Sequence, residues 1–517
     1  MKQFRGQKLF VVLLAHCCAF ILFTISAQAA TYTVTTTADS GAGSLRDAIA
    51  TANSTVEDDI INFSIPLSDP GCNAGSVCTI TLTSGELVIN AISTAGRLTI
   101  TNATGANNLL ISGNNQSRVF YVNAGADLTV NGVTITGGNG AGIGSDDANR
   151  VGGGIFNNGS LTITNTIVRE NGDIISQPAS GSAGGIFNNG IATLQITNST
   201  ITNNKARVSG GINNNGTLTI ESSTLNGNQA TINNGGAILN TGTLTLTNST
   251  VSGNSARGTG GGITNSGTAT LTSSTVTNNT SSTNPANPGG GGIQNNAQGT
   301  LNLFNTIVAG NAASSPSTNV DVNNFGTITG SYNLIGRGAQ GLTNGENGNQ
   351  VGTNDNPIDP KLGALANNGG STQTHALPSD SPAIDKGNAA GTDQRGSARP
   401  VDFASVPNAA SGNGADIGAY ELRALPTAAS VTISGRVITS NGRGVFNALV
   451  ALTNENGETR YARTSISGRY RFNDVAAGSS AVITIVSKRY SFQPQVLTVT
   501  GDAFNVDFLA QEGLSKL

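Results

Sequence analysis

The chain is poor in charge. Asp, Glu, Lys and Arg make up 11% of its 517 residues, tryptophan is absent, and there are two histidines, four cysteines and one methionine. The net charge is −3. So few cations argue against a nucleic-acid partner, which is held through many Lys and Arg contacts to phosphate. The scarcity of His and Cys argues against a metal centre built from those ligands. Disordered chains combine high charge with few apolar residues, whereas 37% of this chain is apolar and can bury a core. Glycine is abundant at 69 residues, but without the every-third-residue period that collagen requires.

The N-terminus carries a targeting pattern. Lys2, Arg5 and Lys8 precede an apolar stretch from Leu9 to Ile25, and Ala27-Gln28-Ala29 forms an A-x-A cleavage site. This pattern predicts a signal peptide over residues 1–29 and an exported mature chain. No other segment is apolar enough to span a bilayer. Cys17 and Cys18 leave with the peptide, while Cys72 and Cys78 remain and are expected to form a disulfide. His375 is then the one histidine of the mature chain. No cofactor is expected.

An internal repeat decides the fold. Leu161-Thr-Ile-Thr-Asn-Thr-Ile-Val168 returns as Leu194-Gln-Ile-Thr-Asn-Ser-Thr-Ile201, Leu218 to Leu225, Leu244 to Val251 and Leu301 to Val308. An earlier copy begins at Leu128 and a weaker one at Ala269. Starts at 128, 161, 194, 218, 244, 269 and 301 are 33, 33, 24, 26, 25 and 32 residues apart. A Gly-Gly-Ile-like string precedes each of the later copies, as at Gly211-Ile212 and Gly262-Ile263. Asn-rich turns such as Asn188-Asn189-Gly190 lead into the strands.

Within each copy Leu, Ile and Val alternate with Thr, Asn and Ser, the two-residue period of a strand. Asn and Gly at the turns tolerate left-handed backbone. About 25 residues suit one coil of a three-sided parallel β-helix, with coils stacked roughly 4.8 Å apart. The longer copies require loops near Asp173 to Ser182 and Thr283 to Pro288. Apolar residues form inward columns, and identical Asn in successive coils can hydrogen-bond as a ladder. Ile212 is assigned to an inward column and Asn214 to a solvated turn. A β-sandwich of hairpins also has short strands, but it does not predict one string recurring at this spacing.

Two terminal segments resemble known families. Gly43-Ser44-Leu45-Arg46-Asp47-Ala48-Ile49 predicts a short helix capped by Ser44, with Leu45, Ala48, Ile49 and Ala52 on one apolar face. It resembles the N-terminal segment of bacterial surface β-helix proteins of the CSLREA type, with Gly43 in place of the Cys and Asp47 in place of the Glu. Arg46 is expected to be structural. Farther on stand Tyr332-Asn-Leu-Ile-Gly336, Asp359-Pro-Lys-Leu-Gly363, Asn367-Asn-Gly-Gly370, Thr372-Gln-Thr-His-Ala-Leu377, Ser381-Pro-Ala-Ile-Asp385, Asp393-Gln-Arg-Gly396 and Asp416-Ile-Gly-Ala-Tyr-Glu421. In that order they resemble the choice-of-anchor Q region of secreted bacterial proteins. The resemblance implies the last coils and cap of a right-handed β-helix, and it brings no catalytic residues.

After residues 422–429, glycine falls and Arg, Tyr and Phe rise. Ser434-Gly-Arg-Val437, Ala448-Leu-Val-Ala-Leu452 and Ser467-Gly-Arg-Tyr-Arg-Phe472 resemble the carboxypeptidase regulatory-like domain, a transthyretin-like sandwich without a peptidase centre. The expected architecture is all-β. A signal peptide (1–29) precedes an N-terminal cap with first strands (30–90) and a repetitive, pectin-lyase-like β-helix (91–330). Choice-of-anchor Q-like last coils and cap (331–421), a linker (422–429) and a transthyretin-like or Ig-like β-sandwich (430–510) complete it.

Many β-helix proteins are polysaccharide lyases or hydrolases, which need paired carboxylates or a Lys/Arg base near the scissile bond. Within residues 90–330 the only Lys is Lys205 and the only adjacent acids are Asp146-Asp147, in a Gly-rich loop. Arg207 and Arg257 stand at similar points of their coils and are expected to be exposed cations. Asp385, Asp393, Asp402 and Asp416 are dense enough to raise calcium binding, with turn and capping roles as the expected use. The functional expectation is a non-catalytic secreted or cell-surface protein for display or adhesion. It would meet a polysaccharide or cell-surface ligand through polar loops and a Thr/Asn face. A carbohydrate-active β-helix enzyme is the alternative.

Overall fold

A computed structural model describes residues 29–142, 151–172, 182–282, 289–313, 321–423, 430–454, 457–476, 480–499 and 502–511. The expected signal peptide, apart from its last residue, and most of the long loops between coils lie outside these residues. The repeat folds as a parallel β-solenoid with two eleven-stranded faces and one nine-stranded face. One coil shows the plan. Ile212–Asn214 lies on the third face, Thr217–Glu221 on the first and Thr224–Asn226 on the second. Gln229–Ala230 adds a short fourth strip of five two-residue strands, which the three-sided reading does not contain.

The repeat register is the structural register. Leu128, Leu161, Leu194, Leu218, Leu244, Ala269 and Leu301 pair in sequence along the first face. These side chains and the Ile163 and Ile212 columns are 0–2% exposed. The corner between the first and second faces repeats a left-handed residue, from Asn165 through Ser222 and Asn248 to Tyr332, with φ between 44° and 54°. Asn adopts this conformation at low cost. The Gly-Gly string has a different cause. A Cβ on Gly210 would lie 2.3 Å from the Gln229 nitrogen, so the residue makes room for the neighbouring coil's backbone.

Two Asn ladders run inside the corners. Asn157, Asn188, Asn214, Asn240, Asn265 and Asn295 each donate Nδ2–H to the Oδ1 of the next, at 2.7–2.8 Å, ending on Asn324. Asn214 is fully buried here, which corrects its assignment to a solvated turn. The second ladder runs Asn171, Asn204, Asn228, Asn254, Asn279, Asn311 and ends on Asp321. A terminal carboxylate fits, because the last member only has to accept. Asp321 receives the Asn311 N–H and Nδ2–H and the Arg337 N–H.

Stacking begins at Thr31–Val34, which pairs with Asp59–Phe63 on the first face, so residues 30–90 already contribute coils. The helix Leu45–Ala52 has Ser44 as its N-cap, accepting from the Asp47 N–H, and buries Leu45, Ala48, Ile49 and Ala52. At the other end Ala339 and Leu342 pack against the solenoid core. Gln350–Val351 then adds the last strand of the second face, and Val351 also packs on that core; the chain after it turns back. It runs back along the second face as a strap with few regular strands, bonding at Thr224, Thr250, Ser252 and Thr275. Residues 430–510 form a separate sandwich of a three-stranded and a four-stranded sheet with its own core.

Candidate ligand-binding face

With the strap on the second face, the outer side of the first face is an open, regular surface. Alternation puts Leu218 and Ile220 inside and Thr217, Thr219 and Glu221 outside. The next coils present Thr243, Thr245 and Thr247, then Thr268, Thr270 and Thr272. Outer residues two apart are separated by roughly 6.6 Å along the strand and their counterparts by about 4.8 Å between coils. The result is a grid of hydroxyls and methyls. Gln195 and Asn302 substitute in its central column, and Glu221 and Phe304 in an outer one. Among the described residues, the hydroxyls of Thr217, Thr219, Thr243 and Thr245 have no intramolecular hydrogen bond. They are available to a ligand with matching hydroxyls.

The third face carries a feature that the sequence reading missed. Tyr121, Phe156 and Phe187 occupy the outward position of three consecutive strands. Their rings stack at 5.2 and 5.3 Å with planes 6° and 8° apart. The Arg118 guanidinium lies 5.5 and 5.2 Å from the first two ring centres. Ring faces turned toward each other leave edges outward, so this stack does not offer a sugar an open aromatic platform. The recurrence of an aromatic two residues after Gly-Gly was the available signal.

The structure disperses the cationic candidates. Lys205 is exposed at the fourth strip, paired with Gln229. Ala206, Ala230 and Ala256 are in register there, so Thr231 stands between Arg207 and Arg257 and keeps them two coils, about 10 Å, apart. Arg46 is a clasp, with Nε and Nη2 donating to Asp39 and Nη1 to the Glu86 carbonyl. Cys72 and Cys78 are disulfide-bonded in the first coils. Asp146 and Asp147 lie outside the described residues.

The acids of the strap converge on its own backbone. Asp385 accepts from the Phe403 N–H, and Asp416 from the Asp385 and Leu422 N–H groups. Glu421 accepts from Val401 and Asp416 and lies 2.9 Å from Arg399 Nε. Asp393 takes the Arg395 guanidinium and the Glu421 N–H, and Arg395 stacks 3.6 Å from the centre of the Tyr420 ring. Asp402 stays at the rim, within reach of Asn408. Burial pushes Asp416 up to about 8, and the neighbouring Glu421 charge adds to this. Burial likewise raises Glu421 to about 7 against the pull of Arg399. Perturbed acids mark active sites as well as structural networks. Here Asp385, Asp393, Asp416 and Glu421 are 0% exposed and engaged by backbone donors, as a latch requires. His375 is also consumed, between Ser252 Oγ at 2.8 Å and the Gly363 carbonyl at 2.7 Å, and burial lowers its pKa. Among the described residues no group of three or more His, Cys, Asp or Glu is arranged to hold a metal ion.

Residues 432–510 match the carboxypeptidase regulatory-like domain family, so the C-terminal sandwich is such a domain. Among solved structures, a crystal structure of pectate lyase Pel9A is similar, with 14% identity and a TM-score of 0.36, over 76% of this chain and 97% of that one. The likeness is one of fold. No curated protein sequence matches the chain.

Proposed function

We propose that the chain is an exported, non-catalytic rod that binds a polysaccharide outside the cell or at its surface, using the threonine grid of its first face. The single observation that carries this reading is the grid itself, with outward threonines repeated coil after coil and hydroxyls left unbonded at Thr219 and Thr245. A ligand with its own repeat can satisfy many such weak donors and acceptors at once, which multiplies modest individual contacts. The signal-peptide pattern and the resemblance to CSLREA-type and choice-of-anchor Q proteins support export and a surface setting. The non-catalytic reading is supported by the placement of the available groups. The strap acids are engaged by backbone donors, and Lys205 stands exposed on the fourth strip in register with Gln229.

Co-sedimentation with insoluble neutral polysaccharides such as cellulose and chitin tests the binding. The wild-type protein should be retained. The triple variant Thr219→Val/Thr245→Val/Thr270→Val should be released, and Thr245→Arg, which breaks the flat surface, should be released further. A wild-type protein that is not retained, or variants retained equally, overturns the reading. Polyuronide turnover that disappears in Asp146→Ala/Asp147→Ala would replace it with a catalytic one.

A further inference from the structure

A second surface, on the C-terminal domain, has a different chemistry and stands independently of the rod. Strand Leu449–Asn454 is central in the four-stranded sheet, and its first residue pairs with Arg463 on one side and Val486 on the other. The chain leaving Val486 carries Lys488, Arg489 and Tyr490 past the same end of the sheet. A bridge between Ile438 and Gly444 folds the intervening turn back, placing Arg443 and Phe446 on that rim. Strand register thus gathers four cations from three separate stretches around one half-open cleft of about 940 Å³. Among the described residues, no acidic side chain lines it.

Several cations elsewhere in the domain are held by internal hydrogen bonds. Arg436 and Arg460 donate to backbone carbonyls, and Arg471 to the Thr432 hydroxyl. Arg463 bonds to Asn447 within the cleft rim. Among the described residues, the side chains of Arg443, Lys488 and Arg489 make no ion pair. Like charges held together without a counter-charge repel, and an anionic ligand relieves that cost. Phe446 is 65% exposed beside them. An uncovered ring offers an apolar contact, and Thr439, Ser440 and Asn441 add neutral donors and acceptors. The size lies within the roughly 300–1,000 Å³ of small-ligand sites.

We infer that this cleft binds an acidic glycan, with Arg443, Arg463, Lys488 and Arg489 taking its anionic groups and Phe446 packing on a sugar ring. Anion, hydroxyl and apolar ring face are the three chemistries the cleft supplies together. Its concave shape suits a chain segment better than the flat surface of a bilayer. The anionic group can be a carboxylate or a phosphate diester, and the two sources are separable by experiment.

Titration calorimetry on the full-length mature protein would use tetragalacturonate, its fully methyl-esterified form and a short glycerol-phosphate oligomer. Tetragalacturonate or the glycerol phosphate should bind, and whichever binds more tightly identifies the anion. The ester should bind at least tenfold more weakly than tetragalacturonate. Lys488→Ser/Arg489→Ser should weaken binding about tenfold or more and flatten its salt dependence. Phe446→Ala should weaken binding several-fold with the salt dependence unchanged. All three side chains are exposed, so melting temperatures should stay at the wild-type value, and the threonine-grid variants should bind these acids normally. Absence of binding by the wild type at millimolar ligand overturns the inference. So do equal affinity in Lys488→Ser/Arg489→Ser and equal competition by duplex DNA of matched charge.

Discussion

The solenoid and the strap both bury many polar groups, but by opposite means. In the solenoid every coil repeats the one before, so backbone N–H and C=O groups find partners in register and the corners are filled by neutral Asn side chains in a chain of identical bonds. The strap has few regular strands and no repeating neighbour. Several of its backbone N–H groups are received by Asp385, Asp393, Asp416 and Glu421, with Arg395 and Arg399 balancing charge. Periodic chain satisfies itself with neutral groups, whereas irregular chain has to import strong acceptors. A carboxylate receives two or three N–H bonds at once, each stronger than a neutral bond. The cost is a cluster of buried charge whose protonation matters.

The contrast breaks most severely in the solenoid. Ile212→Asp places an unpaired carboxylate in an apolar column and should destabilise by more than ~4 kcal/mol, abolishing the cooperative melt. Asn214→Asp should come close, at about 3–5 kcal/mol. Nδ2 donates to Asn240 Oδ1 and to the Gly216 and Thr243 carbonyls, and a carboxylate would confront all three with an acceptor. A melting temperature near wild type for Asn214→Asp would show that the ladder carries little stability.

In the strap, Arg399→Met leaves Glu421 without its cation and should cost about 3 kcal/mol locally. Hydrogen exchange should report this as lost protection at Ala419 and Leu422 with Ile220 unchanged. Simultaneous loss at all three would mean that strap and solenoid are one cooperative unit.

A pH series sharpens the same comparison. Asp416 and Glu421 keep protons in the folded strap that the unfolded chain releases near pH 4. Their contribution is therefore full in acid and lost as pH rises through about 7 for Glu421 and about 8 for Asp416. Strap amides should lose tenfold or more in protection between roughly pH 4 and 8 and change little above that, while the neutral ladder beside Asn240 stays level. A flat strap profile would contradict the raised values. Asp69, lowered to about 2 chiefly by its hydrogen bond from Thr37, behaves oppositely, and its support of the first coils is lost only in strong acid. The smallest effect should be Thr245→Val, within about 0.5 kcal/mol by thermal melting, because its hydroxyl bonds nothing in the protein.

Much of the solenoid was legible because a repeat states its own alignment. Leu218 beneath Leu194 and above Leu244 required only the string, and the inward assignment of Ile212 followed from its recurrence after Gly-Gly. Asn214 was misplaced because Asn serves equally in a wet turn and in a dry ladder, and composition does not distinguish them. The strap acids were visible as a dense run, yet Asp385 meets Asp416 across 31 positions with no period to announce the pairing. The four cleft cations were legible only as a local rise in Arg.

The sequence by itself determined the fold class, the coil register and the separate C-terminal sandwich, because each rests on local alternation, turn chemistry or repeated strings. Only the tertiary structure decided which polar side chains are dry, which face the strap covers and which cations share a cleft. Those outcomes depend on contacts between residues distant in the chain, where burial and hydrogen-bond geometry, rather than residue type, set the environment.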